Sequence, residues 1–248
     1  MKKFLILITF VLISSCQSQK SIPSRPEAVQ ENASYIKPDL LVQFKAQIPD
    51  FPKINSAEQK ADEAELRKLQ KTRSKKDCER ADSEVKVTLE TFYGKPYGIL
   101  NAEQLRLLNP LFDKIRSEGG PYIGQIKNSF SRPRPYLYLK DINPCIAKET
   151  SLAYPSGHAT LAALYADVLT DLFPEHTAAF QKRRNEIAND RVLAGIHHRS
   201  DVKYGLVLGD LLHAEMMKSA KFRTDLENYR KTFQTVCSAS LNCFDSKQ

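Results

Sequence analysis

ATLAALYADVLTDLF, residues Ala159–Phe173, is apolar on nearly every side of the helix it predicts. A helix without a polar face has to be buried, so this segment marks the centre of the fold. Pro174 ends it. Downstream, Ala178–Leu193 is amphipathic and helical, with Gly195 as its expected stop. Val202–Met217 is another mostly apolar helix, whose Gly205 and Gly209 would let a neighbouring helix approach closely. Upstream, Asn101 can cap a helix carrying Leu105, Leu108, Phe112 and Ile115, bent at Pro110. Gly119-Gly120-Pro121 is expected to break the chain before a short helix through Ile126 and Lys127, and Pro133 and Pro135 then forbid helix. Ser56-Ala57-Glu58-Gln59 has the form of a capping box ahead of a long polar helix, supported by Glu63 and Arg67 four apart. Val85, Leu89 and Phe92 also fall at helical spacing, whereas Tyr35–Pro52 reads as an ordered but mostly irregular lead-in. Runs with a period of two are missing. The expected class is all-α, a single-domain helical bundle.

The chain has 248 residues, 42% hydrophobic and 27% charged. That suffices for one sizeable core and excludes disorder throughout. No stretch after residue 15 offers 18 consecutive apolar residues, which argues against a polytopic membrane protein. The net charge is +8, of which Lys2 and Lys3 supply two. Without basic runs interleaved with aromatics, an anionic substrate or membrane face is a better partner than nucleic acid. Arg67–Lys76 reads as a solvated helix face.

Met1-Lys2-Lys3 followed by the apolar Phe4–Ile13 has the form of a signal peptide. Ile13-Ser14-Ser15-Cys16 resembles a bacterial lipobox, making Cys16 the acylated first residue of the mature chain. The expected organisation is a signal peptide over 1–15, a lipidated Cys and tether over 16–33, and an all-α domain over 34–248. Gln17 after the Cys favours outer-membrane sorting, hence a periplasmic location with a lipid anchor in the membrane. Four other cysteines remain. Three connectivities are open to them; Cys237–Cys243, close in sequence, and Cys78–Cys145 are favoured. No CxxC or His spacing marks them as a metal cluster.

Three polar segments stand out together: Lys127 to Arg134-Pro135, Tyr154-Pro155-Ser156-Gly157-His158, and Arg191 through His197 to Asp201. Ser156-Gly157-His158 precedes the buried helix, whose N-terminus offers free N–H donors to an anion. Lys127, Arg134 and Arg191 add cations, and guanidinium forks match phosphate oxygens. A carboxylate at Asp201 can fix the tautomer of His197 and free its other nitrogen as a nucleophile. His158 is then left as an acid for a departing oxygen.

The order and spacing of these segments resemble the K-x6-R-P, P-S-G-H and S-R-x5-H-x3-D signature of the type 2 phosphatidic acid phosphatase superfamily. Within it the exported bacterial class A nonspecific acid phosphatases look most similar; Tyr35-Ile36-Lys37-Pro38-Asp39 and the His-x-x-Ser-Asp-Val form of His197–Val202 also resemble that class. The resemblance implies a helical phosphatase for phosphomonoesters. Lys127, Arg134, Ser156, Gly157 and Arg191 would bind phosphoryl oxygens, His197 would become a phosphohistidine, His158 would be the general acid and Asp201 would orient His197. It implies neither metal nor cofactor, and it is compatible with a homo-oligomer. Three positions depart from the pattern: Asp190 in place of Ser, His198 in place of a frequent aromatic, and Ala159 in place of a frequent Thr. A carboxylate at Asp190 either weakens the hold of Arg191 on phosphate or points away from it. The rival readings are a lipid or isoprenyl (di)phosphate phosphatase at the membrane surface, a vanadate-dependent haloperoxidase, and a non-enzymatic envelope lipoprotein.

Overall fold

A computed structural model describes residues 34–239, with side chains to Val236. The signal segment, Cys16, the tether and Cys243 lie outside the described residues, as does the side chain of Cys237, so the favoured Cys237–Cys243 pair does too. Among the described residues the regular structure is helical, apart from an isolated bridge between Gly94 and Leu100. No helix of them is long and apolar enough to cross a membrane.

The helices run α1 Leu41–Gln47, α2 Ala57–Thr72, α3 Lys75–Ser83, α4 Leu89–Tyr93, α5 Ala102–Phe130, α6 Pro135–Tyr138, α7 Gly157–Leu172, α8 Thr177–Leu193, α9 Arg199–Met216 and α10 Ala220–Ala239. The anticipated buried helix is α7, which packs along α8 and α9. Eleven of its side chains, Ala159 to Leu172, are buried. The expected glycine contacts lie on this axis. A Cβ at Gly205 would come 2.5 Å from the Ser156 carbonyl oxygen, and one at Gly209 would come 2.4 Å from that of Thr160. Both distances are below van der Waals contact, so α9 lies on α7 backbone to backbone. Ala159 belongs to the same contact, because the Gly205 Cβ position is 2.9 Å from its own Cβ.

Several local expectations are corrected. Gly119-Gly120-Pro121 does not break the chain: α5 runs through it, and through Pro110, to Phe130. An interior proline costs about 3 kcal/mol and a glycine about 1. Each fully buried Leu, Ile or Phe returns roughly 1.5–3 kcal/mol, and α5 buries Leu105, Leu108, Leu111, Phe112, Ile115, Ile123 and Ile126. Burial of this stripe outweighs the local breakers, and the unbroken helix carries Lys127 in its last turn. Pro135 starts the one-turn α6, since a proline at the first helical position forfeits no intrahelical bond. The run from Val85 to Phe92 is helical only from Leu89, after a Thr88–Thr91 capping box. Ser56 caps α2 as foreseen, but the Gln59 side chain turns away from the cap to Glu63, Tyr138 and Arg132. The lead-in contains α1, and α10 occupies a segment to which the sequence reading assigns no helix.

The favoured Cys78–Cys145 disulfide is present, with Cα atoms 5.8 Å apart. It ties α3 to the loop that braces the end of α8. There the Cys145 N–H donates to the Ala194 carbonyl at 3.1 Å, and Arg73 donates to the carbonyls of Leu193 and Asn143 at 2.9 and 2.6 Å. Gly195, the foreseen stop, has φ +83°, a left-handed conformation that glycine adopts without strain.

Two glycine substitutions should act with opposite sign. Gly209→Ala forces α9 off α7 and is expected to lower stability by about 1–3 kcal/mol. Gly120→Ala finds open space within 4 Å and should raise stability by about 0.5–1 kcal/mol through helix propensity. Chemical denaturation of both variants checks this; a neutral Gly209→Ala would contradict the backbone-to-backbone contact.

Candidate active site

The three polar segments converge where α5, α7, α8 and α9 meet. His197 follows the Gly195 turn and is fully buried. Its Nδ1 lies 3.2 Å from Asp201 Oδ2 and its Nε2 lies 2.8 Å from Arg134 Nη1. A carboxylate only accepts and a guanidinium only donates. Nδ1 therefore carries the proton and Nε2 the lone pair. Burial first, and then Arg134, hold the imidazole pKa well below its ordinary value, although Asp201 acts in the opposite direction. The ring is a neutral base with its reactive nitrogen facing the cationic side of the site.

Asp201 is itself gripped from several directions. Its Oδ1 accepts from Arg132 Nη1 at 2.6 Å, and its Oδ2 accepts from the His198 backbone N–H at 2.8 Å. Burial alone would raise its pKa, but the hydrogen bonds from both histidines and the Arg132 charge keep it far below the carboxylate range. Arg132 in turn donates to Ser200 Oγ and Gln59 Oε1 at 2.7 and 2.6 Å. The sequence reading missed Arg132: in Arg132-Pro133-Arg134-Pro135 only the second arginine fits the motif.

Arg134 spends every donor inside the protein. Its Nε donates to the Ser151 carbonyl at 2.8 Å and its Nη1 to the Ile196 carbonyl at 3.0 Å as well as to His197. Its Nη2 donates to Ser151 Oγ at 2.9 Å and to Glu149 Oε2. Arg191 is different. Its Nη2 reaches the Ala81 carbonyl and lies 3.6 Å from Glu84, yet its buried Nε and Nη1 have no hydrogen-bond partner. Lys127 donates to the Leu152 carbonyl at 2.6 Å. Burial, reinforced by Arg134, lowers its pKa to about 7. Ser156 caps α7, and a Cβ at Gly157 would stand 3.6 Å from the Lys127 side chain.

His158 lies in the first turn of α7, its ring 6.0 Å from that of Phe92. Its Nε2 faces the Val85 carbonyl at 3.2 Å, so Nε2 holds the proton of the neutral ring. A second proton would enter at Nδ1, which is 3.9 Å from Glu149 Oε1. Burial first, and then the Arg191 charge, lower the His158 pKa to about 3; Glu149 acts against both.

The departures at Asp190 and His198 have structural partners. Asp190 points away from the cradle and binds Arg80 through two hydrogen bonds of 2.7 Å. His198 stacks on Tyr138 and meets its hydroxyl at 2.8 Å, which supplies an aromatic ring from another element. Glu84, Arg80, Arg132 and Glu149 all escaped the sequence reading. Among the described residues, no group of three or more His, Cys, Asp or Glu side chains comes together as a metal site.

Residues 119–225 match the family model described as the PAP2 superfamily. An acid phosphatase of Zymomonas mobilis subsp. mobilis is 32% identical over 117 residues, covering 45% of this chain and 44% of that protein. The chain thus spans less than half the length of that relative. A non-specific acid phosphatase of Providencia stuartii is 24% identical over 85% of this chain and 89% of its own. A crystal structure of a transmembrane PAP2 type phosphatidylglycerolphosphate phosphatase from Bacillus subtilis has a TM-score of 0.48 and 19% identity, covering 72% of this chain and 91% of that one.

An anion entering between these cations should take up a proton. At pH 8 a Lys127 with pKa about 7 is mostly neutral, and two negative charges beside it favour its protonated form. Sulfate does not itself titrate there. Calorimetry in buffers of different ionisation enthalpy should show proton uptake on sulfate binding at pH 8, lost in Lys127→Met. Binding without uptake, or uptake that survives the substitution, would remove Lys127 from the cradle.

Proposed function

We propose, from the match of residues 119–225 to the PAP2 superfamily model, that the chain is a phosphatase that hydrolyses phosphomonoesters through a phosphohistidine at His197. One observation carries the reading. A buried, neutral His197 keeps its Nε2 lone pair on Arg134 Nη1, the charges of Arg134, His158, His197 and Arg191 meet at Glu149, and the buried Nε and Nη1 of Arg191 have no hydrogen-bond partner. That arrangement suits a tetrahedral anion whose phosphorus lies in line with Nε2.

The first chemical event is an exchange of hydrogen bonds. Arg134 Nη1 covers the His197 lone pair. A phosphoryl oxygen takes over this donor and uncovers Nε2. Arg191 and the first-turn N–H groups of α7 hold the other oxygens. Nε2 then attacks phosphorus as the P–O bond to the leaving group breaks. The imidazolium that forms keeps its Nδ1 proton on Asp201. The leaving oxygen receives a proton from His158 Nδ1 and departs as the alcohol. Water, losing its proton to the same nitrogen, next attacks the phosphohistidine, and inorganic phosphate leaves. The cations supply the charge neutralisation, so activity is expected to survive excess EDTA.

Acidic operation follows from the direction of the shifts. Burial and the Arg191 charge lower the His158 pKa to about 3, so it does not itself carry the required proton at pH 5–7. The substrate brings it: a phosphomonoester is a monoanion below its second pKa of about 6. The proton moves to Nδ1 as the oxygens enter the cradle. Above that pKa the substrate arrives without it.

The reading includes export as a periplasmic, lipid-anchored protein, on the strength of the Ile13–Cys16 lipobox. A lipid or isoprenyl phosphate phosphatase remains the second reading, because the same anchor would hold the domain at a membrane.

Two measurements check the chemistry. kcat/KM should fall about tenfold per pH unit above the second pKa of the substrate, and the break should move with that pKa across a series of esters. A break fixed on the pH axis would contradict substrate-borne protonation. His158→Ala should lose far more rate on alkyl phosphates than on p-nitrophenyl phosphate, since general acid assistance is worth roughly 10²–10⁴-fold and a good leaving group needs little of it. Equal single-turnover losses on the two would remove His158 from the role of acid.

A further inference from the structure

Glu149 is an acidic side chain inside a cradle built for anions. It lies on the loop between Pro135 and Ser156, about a quarter exposed where Arg134 is almost wholly buried. Its Oε2 accepts from Arg134 Nη2, and its Oε1 stands 3.9 Å from His158 Nδ1. Burial would raise its pKa, but Arg134, His158, His197 and Arg191 together bring it well below the ordinary value, so it is ionised whenever the site works.

Its position fixes what it meets. Nδ1 is the nitrogen of His158 that can deliver a proton, since Nε2–H is held by Val85. A leaving group served by Nδ1 therefore departs beside the Glu149 carboxylate. The transferred phosphoryl is covered by Arg134, Arg191 and Lys127, whereas the leaving group has this negative charge next to its first atoms. Around His158 the Arg191 and Arg134 charges oppose its protonation and Glu149 favours it. Lys148, the neighbouring cation, lies over the Tyr136 ring, 5.5 Å from its centre, and does not pair with Glu149.

We propose that Glu149 sets the charge selectivity of the site, favouring phosphomonoesters of uncharged alcohols over substrates whose leaving group is itself an anion, such as diphosphates. The proposal rests on the phosphatase reading and deepens it to a substrate class. Two like charges about 4 Å apart repel strongly at an effective dielectric near 20; the partial exposure of Glu149 reduces this to a discrimination of roughly tenfold.

The test compares kcat/KM for glycerol 2-phosphate and inorganic diphosphate in the full chain, in Glu149→Gln and in Glu149→Asp. The wild type should prefer the monoester. Glu149→Gln should shift the ratio toward diphosphate by roughly tenfold, chiefly through the KM for diphosphate, whatever its loss on the monoester. Glu149→Asp keeps the charge and should restore most of the wild-type ratio. A Glu149→Gln ratio equal to that of the wild type, including equal losses on both substrates, gives Glu149 a merely structural role and overturns the proposal. If the wild type hydrolyses neither substrate, the phosphatase reading fails and takes this one with it. Hydrolysis of the monoester with an unmoved ratio removes only the role of Glu149.

Discussion

The Asp201 carboxylate is the joint on which the site turns. It is fully buried, and it meets the imidazole of His197, the backbone N–H of His198 and the guanidinium of Arg132. Its backbone carbonyl also accepts the N–H of Ser156 at 2.8 Å. One residue at the start of α9 thus fixes the tautomer of His197 and the height of the α7 N-terminus at once. Removing it would leave the buried Arg132 with Asp62, 3.3 Å from its Nη2, in place of two carboxylates, and His197 free to turn. Buried pairs broken on one side cost about 3–5 kcal/mol, so stability and geometry would be lost together. The close approach of α9 to α7 at Gly205 serves the same joint, because it brings Asp201 within reach of Ser156.

Around this joint the fold assembles like charges that repel one another. Lys127, Arg134 and Arg191 converge, and each is compensated in a different way. Arg134 binds backbone carbonyls and Glu149; Arg191 borders Glu84, which also binds Arg183 at 2.7 Å. Lys127 donates to a backbone carbonyl, and Asp201 and Glu149 only partly offset the burial and the Arg134 charge that lower its pKa. Glu84 shows the strain of the arrangement: burial and the nearby Asp190 raise its pKa to about 7, against the pull of Arg183 and Arg191. The buried Nε and Nη1 of Arg191, which have no hydrogen-bond partner, are the remainder of that compensation and are suited to an incoming anion. An anion that binds there stabilises the fold as well as the site.

The sequence revealed those parts whose chemistry is local. The buried α7, its cap at Ser156, the Gly195 stop and the α9 glycines each follow from a few adjacent residues. So does the pairing of His197 with Asp201, four apart across one helix start. The sequence did not reveal what depends on distant neighbours. Nothing near Gly119-Gly120-Pro121 indicates that a buried stripe carries α5 through it. Arg132 and Arg134 differ only in where the chain turns after Ser131, which has φ +54°. Glu149 looks like any loop carboxylate until Arg134 and His158 close on it. Asp190 left two outcomes open because its partner, Arg80, lies 110 residues away. The C-terminal α10 was legible in principle, since Phe222, Leu226, Tyr229 and Phe233 recur at helical spacing, and Phe233 meets Phe173 at 4.8 Å between ring centres.

The central claim is that His197 Nε2 forms the covalent bond to phosphorus. Rapid mixing with a ³²P-labelled aryl phosphate, followed by alkaline quench and peptide mapping, tests it most directly. Label stable to alkali and labile to acid, located on His197 at Nε2 and missing in His197→Ala, is the predicted result. Turnover without any labelled histidine, or label on another residue, would contradict it.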